Sequence, residues 1–129
     1  MRLAAILSLV IMLSAFQCHR TCGPEDGSTT LTGKWKFTEF YMSPGDGSVN
    51  WQGAPAGQTY IEFKPDGSFA SDLPMLSNYT RYEIIDASSV KLLGAPSPNQ
   101  FLLGYTISGS RLEIIPPCFE GCAYRFKRQ

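Results

Sequence analysis

Four cysteines and one histidine carry most of the latent chemistry in this 129-residue chain. The cysteines fall into two groups of identical spacing, Cys18-His19-Arg20-Thr21-Cys22 and Cys118-Phe119-Glu120-Gly121-Cys122. Thiolates and an imidazole are the donors that zinc takes. A close cysteine pair outside the cytoplasm more simply closes a disulfide. The first group borders an apolar leader, where a structural metal site would be cut apart, so no metal site is expected. His19 is the only histidine and precedes the patterned part of the chain. No Ser-His or Cys-His arrangement can therefore form inside the domain. No glycine-rich phosphate loop joins a strand to a helix. Neither catalysis nor a cofactor is expected. Among the carboxylates, Glu39 alone shares the parity of Trp35 and Phe37 on a strand-like segment. Facing inward, it would orient a ligand or act as a buried acid with a raised pKa. A bulge would instead turn Glu39 out and Phe40 in.

The compartment is read from the first residues. Arg2 precedes an uncharged, mostly apolar run over residues 3–16. That is the layout of a secretion leader, and the run is shorter than the roughly 20 residues needed to span a bilayer. Residues 1–17 are expected to be a signal peptide, 18–30 a flexible tether and 31–129 the folded domain. Segment 13–18, ending in Cys18, resembles a bacterial lipoprotein signal. That resemblance implies an exported protein of the cell envelope, held to a membrane by a lipid on Cys18. Ordinary cleavage, leaving Cys18 free or bridged, is the alternative. Basic and acidic residues number 11 each, so composition implies neither nucleic-acid binding nor a polybasic membrane surface.

From residue 31 the pattern is alternation, with no sustained helical period. Eight strands are expected, over residues 31–41, 59–64, 68–72, 79–86, 89–93, 101–108, 111–116 and 122–128. Tight turns at 65–67, 87–88 and 109–110 alternate with long connections at 42–58, 73–78, 94–100 and 117–121. In an antiparallel meander that gathers the long loops at one end, which predicts an all-β up-and-down barrel with one open mouth. Alternation places Trp35, Phe37, Ile61, Phe63, Phe69, Tyr82, Ile84, Val90, Leu92, Leu103, Tyr105, Ile107, Leu112, Ile114, Tyr124 and Phe126 inside. Lys34, Lys36, Arg81, Lys91, Arg111, Glu113 and Arg125 fall outside.

Gly33-Lys34-Trp35 opens the first strand, and Tyr124-Arg125-Phe126-Lys127-Arg128 closes the last. These segments resemble the Gly-x-Trp motif and terminal arginine of the lipocalins and the wider calycin group. The chain is also similar to short lipocalin-like lipoproteins of bacteria over residues 31–128. The resemblance implies that Trp35 plugs the closed end and that Arg128 packs across its ring, Arg125 being the second choice. A local Cys118–Cys122 disulfide is expected beside the last strand. The tether could also carry Cys22 to that pair, so this pairing stays open; with Cys18 lipidated, Cys22 would be an odd thiol.

The expected partner is a small hydrophobic ligand in the barrel. Glu39, Tyr41, Trp51, Tyr60, Met75 and Tyr105 are its expected contacts, with the apolar loop Leu73-Pro74-Met75-Leu76 at the mouth. The alternative is a filled barrel, since eight strands are only just wide enough for side chains. The domain would then be an interaction or structural module of the envelope with a protein partner.

Overall fold

The computed structural model describes residues 30–94 and 100–129. The expected leader and most of the tether, with Cys18, His19 and Cys22, lie outside the described residues, as does most of the connection at 94–100. The described residues form no helix. They make nine strands: β1 (Gly33–Met42), β2 (Gln52–Gly53), β3 (Tyr60–Phe63), β4 (Phe69–Ser71), β5 (Tyr79–Asp86), β6 (Ser89–Gly94), β7 (Gln100–Ser108), β8 (Arg111–Ile115) and β9 (Cys122–Arg128). All pair antiparallel in the order β4-β3-β1-β9-β8-β7-β6-β5. This is a nearly closed, eight-stranded, lipocalin-like up-and-down barrel. The two-residue β2, absent from the sequence expectation, pairs with Glu39 and Phe40 on β1.

The first and last strands zip together. Trp35 lies opposite Arg128, Phe37 opposite Phe126 and Phe40 opposite Tyr124. The seam falls elsewhere, between β4 and β5, where an isolated Ser68–Arg81 bridge and a bond from Tyr82 N–H to Gly67 O (3.0 Å) close the wall. β5 overruns β4 at this seam. That explains a departure from simple alternation: Ile84, expected inside, is 50% exposed and its neighbour Ile85 49%. Tyr82 stays packed against the core, and its hydroxyl donates to Lys64 O at 2.8 Å.

The hairpin ends hold as expected. Asp66 and Asp86 each accept from the N–H of the serine two residues on, Ser68 (2.9 Å) and Ser88 (2.8 Å). These are side-chain turns that pre-bend the chain between strands. They gather with the 109–110 turn and the start of β1 at one end, the closed end. The long connections gather at the other, where Ser43 N–H bonds Gly121 O at 2.8 Å.

The core fills the barrel from the closed end upward. Trp35, Ile61, Val90, Leu92 and Leu112 have no exposed surface at all, and Phe63, Phe126 and Leu103 almost none. Leu31 covers the bottom. From the opposite end, the connection after β4 inserts Leu73 and Leu76, both buried, among the same residues.

Candidate functional site

The bottom of the barrel is fixed by Trp35. Its Nε1–H donates to Leu31 O at 2.9 Å, and the Arg128 guanidinium lies 4.1 Å from its ring centre. Arg128 also donates to Thr32 O (3.0 Å) and Thr30 O (2.7 Å). A fork that stacks on a ring and satisfies backbone carbonyls suits arginine rather than lysine. Gly33 makes room for it: a Cβ there would stand 2.8 Å from Arg128 Nη1, and its φ of +138° is costly for any other residue. Tyr105, an expected ligand contact, is buried in this lower half. Its hydroxyl donates to Asp86 O at 3.2 Å beside the β5–β6 turn. Burial first, and the Asp86 charge second, push its phenol above the ordinary value. Tyr105 is thus core, far from the mouth.

A register shift between Phe37 and Glu39 decides the rim. The bulge inverts the parity of β1 beyond Thr38, whose hydroxyl donates to Arg125 O at 3.0 Å. Glu39 is therefore turned out of the barrel and Phe40 in, so of the two readings left open by the sequence the bulge holds and the inward position of Glu39 does not. It stands 3.5 Å from Arg125 Nη1. Arg125 Nε donates to Glu113 Oε2 at 3.1 Å, and the guanidinium lies 3.5 Å over the Trp51 ring. Tyr41 meets Trp51 edge-on at 4.8 Å. Tyr60, opposite Lys36, receives the Lys34 ammonium over its ring at 4.5 Å. Glu39, Tyr41, Trp51 and Tyr60 thus form contacts on the outer wall and do not line the interior. Met75 is exposed on the loop whose Leu73 and Leu76 point in.

The inward positions at the mouth belong to other aromatics. Phe40 stacks on Tyr124 with ring centres 6.2 Å apart, and Phe37 lies 5.8 Å below Tyr124. Tyr79 stacks on Phe101 at 5.8 Å. These four are only partly buried and rest on the core. Burial pushes the Tyr124 phenol upward. The two stacks stand on separate arcs of the wall, β1/β9 and β5/β7, with Leu73 and Leu76 as the floor. Alternation already put Tyr124 inside. Phe40 needed the bulge, and Tyr79 needed its own register shift before Arg81. Phe101 could have been read from its even separation from Leu103 and Tyr105.

Around this rim sits an apolar crown. Met42, Val49, Met75, Leu102, Ile115 and Phe119 are exposed, and all lie on long loops or strand ends at the mouth. Phe119 is fully exposed at the tip of the loop that the Cys118–Cys122 disulfide closes, with Cα atoms 6.0 Å apart. No cluster of side chains suited to a metal ion occurs among the described residues.

No protein-family model, curated protein or solved structure matches this chain.

Proposed function

We propose that this is an exported, envelope-tethered, lipocalin-like binding protein that takes a small hydrophobic ligand at the open end of its barrel. The observation that carries the reading is the half-buried rim of Phe40–Tyr124 and Tyr79–Phe101 above an apolar floor. Aromatic faces left partly wet inside a ring of exposed apolar side chains gain by covering that surface. The ligand would sit at the rim rather than deep inside, because core side chains occupy the lower barrel. Cargo binding by the domain needs no cofactor or metal.

A titration with N-phenyl-1-naphthylamine, a neutral apolar fluorophore, tests this. Saturable one-to-one binding is expected, weakened about tenfold by Phe101→Ala or Tyr79→Ala and unchanged by Trp51→Ala on the outer wall. Absence of saturable binding, or equal loss in all three variants, would overturn it. A second reading then takes over: a non-enzymatic module that docks a protein partner on the crown. It is favoured by one observation, the full exposure of Phe119.

A further inference from the structure

The balanced composition hides a local imbalance that only the strand pairing brings together. On the outer wall at the closed end, Lys36 of β1 lies directly opposite Lys127 of β9. Lys127 lies directly opposite Arg111 of β8. All three are exposed. Directly opposed residues on neighbouring strands hold their Cβ atoms about 4.5–5.5 Å apart, and like charges so placed repel. None of the three makes an ion pair among the described residues. The next row toward the mouth sets two carboxylates, Glu39 and Glu113, against one guanidinium, Arg125, so it offsets one of the three positive charges and leaves the patch basic. An open depression of about 380 Å³ separates the two rows, with Thr38 and Ser110 at its edge.

The row spans three strands of the outer wall, and the depression takes in Arg111 and Lys127 but not Lys36. The three charges together therefore match an extended anionic surface better than one small ion. Its place on the fold says which surface. The chain joins the barrel at this same end, where Thr30 and Thr32 carbonyls are held by Arg128. If Cys18 carries the lipid, the residues between it and Thr30 reach at most about 40 Å even fully extended, so such an anchor would hold the barrel by its closed end.

We propose that Lys36, Lys127 and Arg111 form a docking surface for anionic phospholipid headgroups, seating the barrel closed end down. The surface goes beyond the ligand reading and does not depend on it; only the tether argument rests on a lipid at Cys18.

The test uses the chain without residues 1–18, whose barrel makes its described contacts within residues 30–129, so lipidation cannot influence the result. It is floated with phosphatidylcholine vesicles containing or lacking phosphatidylglycerol. Binding to the anionic vesicles alone is expected, lost in high salt and reduced about tenfold or more by Lys127→Glu. Arg81→Glu, the same charge reversal on the opposite wall, should leave it unchanged. Lys127→Glu should also raise the thermal midpoint, because a carboxylate between Lys36 and Arg111 replaces repulsion by attraction. That outcome separates lost docking from lost folding. Equal binding to both vesicles, or equal loss in Arg81→Glu, would overturn the proposal. So would displacement by inorganic phosphate beyond that caused by chloride of equal ionic strength, which would mark a small-anion site instead. The naphthylamine titration should be unaffected by Lys127→Glu.

Discussion

Arg128 lies across the face of Trp35, and the two residues face each other on paired strands, ninety-odd positions apart in sequence. One contact thus joins the first strand to the last and seals the bottom of the barrel. Replacing Trp35 by alanine should cost about 3–5 kcal/mol, as expected for a fully buried aromatic. Lys34→Ala, one residue away on the outer face, should stay within about 0.5 kcal/mol. Urea denaturation of the two variants checks the difference; equal costs would contradict the face assignment.

Gly33 is tied to that contact. Gly33→Ala should destabilise by about 1–3 kcal/mol through its backbone conformation, and further by displacing Arg128. In an Arg128→Ala background the second part should vanish. A double-mutant cycle measuring coupling between positions 33 and 128 reads it directly; strictly additive effects would count against the close approach.

Asp72 holds the start of β3 to the loop that inserts Leu73. Its carboxylate accepts from Thr59 N–H (2.8 Å) and Tyr60 N–H (2.9 Å), and from the Thr59 hydroxyl. Burial alone would raise its pKa, but these bonds together outweigh it and hold the group below its ordinary 3.8. A folded-state pKa below the unfolded one adds stability above the unfolded value, and this is lost as pH falls through the folded one. Asp72→Asn should therefore cost on the order of 1 kcal/mol at neutral pH, and the difference should shrink as pH falls below 3.8 through the depressed folded-state value. Stability curves for both proteins across that range are the check; a difference that persists undiminished in acid would contradict the clamp.

Gly94 ends β6 against the beginning of β5. A Cβ there would collide with Asn78 O and lie 2.8 Å from Tyr79 Cα, both backbone atoms that cannot swing aside. Gly94→Ala should part the strands beneath the Tyr79–Phe101 stack and weaken apolar-probe binding more than it lowers the thermal midpoint. Reducing the Cys118–Cys122 bridge should lower stability by about 2 kcal/mol, given its short loop, with the rest of the sheet intact by far-ultraviolet circular dichroism.

Much of the fold could be read before any coordinates. The Pro65-Asp66-Gly67 and Gly109-Ser110 turns and the alternating loop lengths specify a meander with one open end, and parity along β7, β8 and β9 finds most of the core. The rim was less legible because it depends on two register shifts. A bulge leaves no mark on composition, and it exchanges Glu39 for Phe40 at the mouth. Tyr41 and Trp51 read as mouth residues because they are aromatic and near a long loop. The same bulge turns Tyr41 outward, and Trp51 packs there between Tyr41 and the guanidinium of Arg125, from the far end of the chain. Long-range pairing likewise brings Lys36, Lys127 and Arg111 together, which no local window reveals.

The central claim is that apolar cargo is held by the inward aromatics at the mouth. Nuclear magnetic resonance of the aromatic and methyl side chains during titration with n-dodecanol tests it most directly. Saturating shifts concentrated on the rings of Phe40, Tyr79, Phe101 and Tyr124, with Trp51 and Tyr60 unmoved, are the predicted result. Shifts confined to Met42, Val49 and Phe119 on the crown, or none, would contradict it.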